Sequence, residues 1–545
     1  MTTPVLRRFV TMVCIVIGAC LVAQVANSTH AQTNVPPDGL PQEEWVPTDP
    51  VPPGNEMRRP TTPGTTLLPT PGLPQPGPAN PGTNNPPGAI VPTLPAPPPP
   101  STAELLDYDD AYERLGDRMP DGSRVAIGIV EGDPGAYGPD LANAALRGLP
   151  LTLHSGPSQN SPHAVGVLQT LAGNRGLVGN PKAVGVWSVQ HWMSAGFVQL
   201  GTPRPPGLSP DLGDGTPRVW SHSWIGTDAD RAVPVLRRLD YAIDTDGLVM
   251  CVGVNNGKES AVPPMLGSGF NVIAVGVDDG NSSGGFTRVE TDGRCKPDVV
   301  APGNMTSFST PAVAGVAALL IDFAKALHEG DDETLGRAVR PEVVKAAIMA
   351  GAQKHHRWEP LPMRPLDERL GAGRVNLDAS LRIMEGGPIE PSRKITRGKA
   401  WAFAELDPRG THRYTLDIPQ DLGEFSVILT WHRRVDGRSL VLESETTGDR
   451  RALWHHEPRM ADLDLRLVRI DGAGRMMSEF SLSASRIDNV EHLYVPALPE
   501  GRYALEVFRD PAADPMRDEP WTYGLAWRLE PPRDAQASVD PPSAS

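Results

Sequence analysis

"KPDVVAPGNMTSFSTPAVAGVAALL", residues 296–320, decides the fold. A short apolar run, Val299–Ala301, stops at Pro302-Gly303, a turn pair. Thr306-Ser307 follows, and then a helix crowded with small residues, among them Ala312, Ala314, Gly315, Ala317 and Ala318. Small side chains let such a helix lie deep against a sheet. A serine at its start sits at the positive end of the helix dipole. That seat suits a nucleophile whose transition state gathers negative charge. It suits a plain N-cap equally well.

Outward from this stretch, apolar strand-like runs alternate with helical ones from Ser101 to about Glu385. The strands are "RVAIGIV", "AVGVWSV", "RVWSHSW", "LVMCVGV" and "NVIAVGV". The helices include "PHAVGVLQTLAG", "DADRAVPVLRRLDYAID" and "TPAVAGVAALLIDFAKALHE". Continuous apolar strands with helices between them predict an α/β fold, a parallel sheet covered on both faces. After "EGGPIEP" the texture changes. "DLDLRLV" puts Leu463, Leu465 and Leu467 on one face, and "RYALEV" does the same with Tyr503, Leu505 and Val507. With "FSVILTW", "HLYVPAL" and "YGLAWRL" these predict an all-β sandwich or jelly-roll over 386–532. Asp462 and Asp464 fall on its polar face and are expected to be solvated. A polar tail, 533–545, closes the chain.

The 545 residues allow two or three domains. The net charge is −15 and no Lys/Arg block stands out, which argues against nucleic acid as a partner. Residues 1–31 read as a secretory signal, with Arg7 and Arg8 before the apolar run Phe9–Val25. The expected place is therefore secreted or in the cell envelope. An uncleaved anchor, or lipid on Cys20 within "IGAC", is the alternative, and would tie the chain to a membrane or cell surface through its N-terminus. Of the 60 prolines, 23 crowd into a linker, 32–100, which cannot build a core and should be extended. Beyond the signal two cysteines remain, Cys251 and Cys295; they form one disulfide or two buried thiols. No zinc or haem motif is present, and no metal or cofactor is expected. Asp-Gly pairs such as Asp214-Gly215 read as turns rather than calcium loops.

"KPDVVAPG" followed by "TSFSTPAVAG" resembles the signature around the catalytic serine of the subtilases, the subtilisin-like serine proteases. Further strings fit in family order: "RVAIGIVEGD", "SPHAVG", "AGNRGLVGNPKAVGVWSV", "WSHSW", "VMCVGVNNG" and "GAGRVNLDASL". The resemblance covers about Arg124 to Glu385, within a catalytic domain placed at 101–385. The sandwich resembles the β-barrel appended to some bacterial subtilases.

The resemblance implies a serine endopeptidase acting on polypeptide. Ser307 falls on the nucleophile and Asn255 on the oxyanion asparagine. Ser223 and Trp224 fall on the substrate-binding strand. Glu131 falls where the family has aspartate, one methylene longer, with Asp133 a weaker substitute. The family's "HGTHVAG" laid without a gap on "NSPHAVG" puts Asn160 at the general-base position and His163 on the second, non-catalytic histidine. An amide is a hydrogen-bond acceptor but a negligible base. His163 would then be a displaced base or a packed side chain, roughly 4.5 Å further up the helix. His154 lies in the preceding loop, and His222 should face away from Ser223. Met305 and Val254 stand where glycines are usual and could distort the backbone. A sedolisin-like acid set is disfavoured, because this helix carries no carboxylates. Two functions stay open: a serine endopeptidase through Ser307, or a pseudoprotease that binds peptide or surface polymer without cutting it.

Overall fold

The computed structural model describes residues 101–531, apart from 133–134, 174–175, 179–182, 189–216, 360–363, 444–449, 511–513, 515 and 517. The signal-like start, the proline-rich linker, the polar tail, Asp133 and the Asp214-Gly215 turn lie outside the described residues.

The first part is a seven-stranded sheet. Its strands are β1 (Ala126–Glu131), β2 (Leu151–Leu153), β3 (Ala183–Ser188), β4 (Val219–His222), β5 (Val249–Gly253), β6 (Ile273–Val277) and β9 (Val299–Ala301). Two-residue strands β7 (Gly285–Phe286) and β8 (Cys295–Lys296) form a separate ribbon. The sheet order is β2-β3-β1-β4-β5-β6-β9, and every neighbouring pair is parallel. β5, β6 and β9 are buried along their whole length, as continuous apolar strands with helices on both sides require. The helix Thr306–Leu327 crosses the sheet; its 309–324 stretch is wholly buried. It is long and apolar enough to span a bilayer, yet it is a core helix here. Cys251 and Cys295 are two buried free thiols, so the disulfide alternative does not hold. Burial pushes both thiols well up, away from the reactive thiolate.

The second part is antiparallel. Its strands are β10 (Lys399–Leu406), β11 (Thr411–Ile418), β12 (Phe425–Thr430), β13 (Arg434–Glu443), β14 (Arg450–Arg459), β15 (Asp464–Ile470), β16 (Met476–Ser483), β17 (Val490–Val495), β18 (Gly501–Phe508) and β19 (Trp521–Leu529). They make two four-stranded sheets, β10-β19-β12-β17 and β11-β18-β15-β16, plus the hairpin β13-β14. Leu463, Leu465 and Leu467 share one core with Tyr503, Leu505 and Val507, as the alternation predicts. Asp462 and Asp464 depart from expectation: each is only 7% exposed. The Asp462 N–H donates to Asp514 Oδ1, on the far side of β18 in the chain, at 3.1 Å. Burial, reinforced by nearby carboxylates, pushes Asp462 up to about 6 and Asp464 up to about 7.

The two parts share their core. Trp401, Ile428, Val490 and Ala526 of the sandwich belong to the same apolar cluster as the Thr306–Leu327 helix. Buried polar bonds reinforce the seam. Asn271 and Arg433 exchange two hydrogen bonds of 2.8 Å, and Arg433 pairs with Asp240 at 2.6 Å. Gly524 of β19 lies on the helix Pro341–Gly351. A Cβ there would stand 2.6 Å from the backbone of Glu342. No side-chain rotation relieves that contact, so helix and strand would have to part. Gly524→Ala is therefore expected to cost about 1–3 kcal/mol in chemical unfolding, an overpacking loss.

Candidate active site

β1, β4 and β5 are adjacent and parallel, so their carboxyl ends share one edge. Ligands of open α/β sheets bind at that edge. Glu131 is the last residue of β1, Ser223 follows β4, and Asn255 lies just past β5. The Ser223 N–H donates to the Val130 carbonyl at 3.2 Å, which locks the first two ends together.

The helix Pro162–Leu171 begins beside them. Ser161 caps it by accepting from the Ala164 N–H, and Pro162 occupies the first turn, where a missing N–H costs nothing. His163 comes next. Its Nδ1 lies 2.6 Å from Glu131 Oε2; the acid side chain is 3% exposed, the imidazole 37%. The imidazole ring is 5.8 Å from that of Phe308, the residue after Ser307. Gly166 permits this approach, since a Cβ there would stand 2.6 Å from Phe308 Cε1. The hydrogen bond to Glu131 raises the His163 pKa above its ordinary value against the opposing effect of burial. Burial in turn pushes Glu131 up, with His163 pulling the other way. Glu131 Oε1 is buried and has no hydrogen-bond partner among the described residues.

Asn160, expected opposite the acid, is not there. It is exposed and forms a lone bridge with Gly138, while the Ser161 N–H donates to the Gly138 carbonyl at 2.7 Å. The residue set against Glu131 is His163, which the gapless alignment had assigned to the non-catalytic position. The extra methylene of glutamate gives the physical reason. A longer acid reaches a ring set further along the helix, covering part of the displacement that three residues impose. His154 is exposed at the end of β2. His222 is fully buried; Met250 Sδ lies 3.3 Å from its Nε2, and the Trp224 N–H donates to its Nδ1 at 3.3 Å. Burial pushes its pKa down to about 3. It faces away from Ser223, as alternation predicts.

Ser307 is the second residue of its helix and half-buried. Its carbonyl would normally receive the N–H of the residue four positions on, but that residue is Pro311, which has none. Ser223 Oγ supplies the missing donor at 2.9 Å. The hydroxyl of Ser223 thus holds the backbone of Ser307. Trp224, placed beside it on the expected substrate strand, is 8% exposed within an apolar cluster containing Trp220 and Met265.

Asn255 is partly exposed. Its backbone is clamped by Ser283: the Asn255 N–H donates to Ser283 Oγ at 2.9 Å, and the Ser283 N–H returns to the Asn255 carbonyl at 2.8 Å. Its side-chain amide makes no hydrogen bond to a described residue. Neither unusual neighbour strains the site. Val254 points into the core, fully buried. Met305 has φ −150°, ordinary extended backbone that needs no glycine.

The arrangement offers an imidazole with a carboxylate on one nitrogen, a serine in the first turn of a helix, and an asparagine just past β5. That is the equipment of acyl transfer. Among the described residues, Asp244, Glu342 and His432 bring possible cation ligand atoms within 4.8 Å of one another. Arg340 already sits on Glu342, at 3.0 and 3.2 Å, so these residues form an ion-pair cluster at the seam.

Residues 208–373 match the subtilase family's sequence model, a segment holding Ser223, Asn255 and Ser307. No curated protein sequence matches the chain. Among solved structures, the prenylagaramide maturation protease PagA is 19% identical; the alignment covers 50% of this chain and 98% of PagA, with a TM-score of 0.33. Fervidolysin from Fervidobacterium pennivorans, a keratinolytic enzyme related to subtilisin, is 14% identical over 74% of this chain and 72% of its own, with a TM-score of 0.33. The psychrophilic subtilisin-like protease Apa1 from an Antarctic Pseudoalteromonas is 14% identical over 51% of this chain and 99% of its own, with a TM-score of 0.32.

Proposed function

We propose, taking residues 208–373 as a subtilase segment, that this chain is a serine endopeptidase with a glutamate-backed triad: Ser307, His163 and Glu131. The observation that carries the reading is the 2.6 Å contact between His163 Nδ1 and Glu131 Oε2. It fixes the ring and leaves Nε2 as the basic nitrogen. His163 Nε2 takes the proton of Ser307 Oγ as the oxygen attacks the scissile carbonyl. The Asn255 amide and the Ser307 N–H receive the oxyanion. His163 then hands its proton to the leaving amine, and water hydrolyses the acyl-serine by the same route in reverse. His163 and Ser307 share no hydrogen bond in the free protein; such contacts commonly tighten only when substrate binds. The substrate is polypeptide. The signal-like residues 1–31 support action outside the cytoplasm, and the proline-rich linker 32–100 is read as a spacer.

The test is the pH profile of casein hydrolysis, with Ser307→Ala as the blank. A base works only when neutral, and Glu131 raises the pKa of His163. Activity should therefore fall about tenfold per pH unit on the acid side, with a midpoint above the ordinary histidine value of 6.5. Hydrolysis equal in Ser307→Ala and the unaltered chain would defeat the proposal and leave a peptide-binding pseudoprotease.

A further inference from the structure

We infer that Asn256 is a positioning residue, and that it sets the Ser307 N–H as an oxyanion donor by capping the nucleophile's helix from outside. The inference rests on the serine-endopeptidase reading above. A helix leaves its first N–H groups without internal partners, and a side chain at the N-cap usually takes one of them. Here the N-cap is Met305, whose side chain makes no capping hydrogen bond. The N–H groups of Phe308 and Ser309 turn back to the Met305 carbonyl, at 3.0 and 3.2 Å. The Thr306 N–H has no such recourse. It donates to Asn256 Oδ1 at 2.9 Å, and Thr306 Oγ1 donates to the same oxygen at 3.1 Å. Of the first-turn donors this leaves the N–H of Ser307 open, beside its own hydroxyl.

Asn256 is bonded covalently to Asn255, the other oxyanion donor. One dipeptide therefore supplies one donor directly and fixes the second through its neighbour. The loop that carries it is itself held: Ser260 Oγ donates to the Asn256 carbonyl at 2.8 Å, and the Gly257 N–H donates to the Asn281 carbonyl at 3.1 Å. The close approach of strand to helix is visible at Gly253, where a Cβ would stand 3.1 Å from Thr310 Oγ1 and 3.4 Å from Thr306 Oγ1. Losing the Asn256 acceptor frees the first turn to rotate, and with it the Ser307 N–H. Misplacement by about 1 Å can cost on the order of a hundredfold in rate.

The experiment measures kcat and KM on a peptide substrate, normalised to active sites by titration with a fluorophosphonate probe. Asn256→Ala is expected to lower kcat by about ten- to a hundredfold, with KM within about twofold. Asn256→Asp keeps an acceptor at the same reach and is expected to recover most of the loss. A role confined to stability would lower the melting temperature of Asn256→Ala and leave kcat per titrated site unchanged; that result overturns the inference. So does an Asp variant as slow as the Ala variant. A wild-type chain that shows no Ser307-dependent turnover would instead count against the endopeptidase reading itself.

Discussion

His163→Ala is expected to abolish turnover, a loss of about a million-fold, while Asn160→Ala stays within about twofold of the unaltered chain. The size of the first effect follows from what the imidazole does. In the proposed triad it accepts the serine proton, holds it through the tetrahedral stage and returns it to the leaving amine. In subtilisin, removing the histidine alone costs about as much as removing the whole triad, roughly two million-fold. The contrast with Asn160 follows from geometry. Asn160 is exposed and tied to Gly138, while His163 lies against Glu131 and next to Phe308. Residual hydrolysis in His163→Ala would come from the Asn255 amide, the Ser307 N–H and substrate binding, about a thousandfold over water. The measurement is steady-state hydrolysis of a peptide substrate by the three proteins, with Ser307→Ala as background.

Glu131→Gln is expected to lower kcat by about ten thousandfold, as neutralising the acid does in serine proteases generally. Gln keeps the length of the side chain but can present an N–H to the ring, which favours the wrong tautomer. It also removes the charge that stabilises the imidazolium. A second readout separates this from a packing defect. Glu131 is the largest cause raising the pKa of His163, and burial alone would lower it. The acid limb of the pH profile should therefore move downward in Glu131→Gln. A packing defect would lower the rate and leave the limb in place. Glu131→Asp retains the charge but is shorter; it should fall between the two, because His163 then lies beyond easy reach.

The scaffold was legible because its signals are local. Five predicted strands became β1, β3, β4, β5 and β6, since a strand buried on both faces must be apolar throughout. The sandwich declared itself through strict alternation at Leu463, Leu465 and Leu467. The proposed site was only half legible. Ser307, Asn255 and Glu131 fall at strand and helix ends that those same signals define. The histidine did not, because a gapless alignment assumes that side chains of equal position have equal reach. Glutamate in place of aspartate was the available clue that the ring is set further up its helix. Asn256 was hidden for a different reason. Its role depends on the missing cap at Met305, some fifty residues away in the chain, and only the fold brings the two together. The burial of Asp462 likewise involves a contact with Asp514, some fifty residues on, that alternation cannot foresee.

The most direct test of the triad is to treat the chain with a fluorophosphonate and locate the adduct by peptide mass spectrometry. The account predicts an adduct on Ser307 that forms in the unaltered chain and in Asn160→Ala, and does not form in His163→Ala. An adduct that persists in His163→Ala and is lost in Asn160→Ala, or no adduct on Ser307 at all, would contradict it.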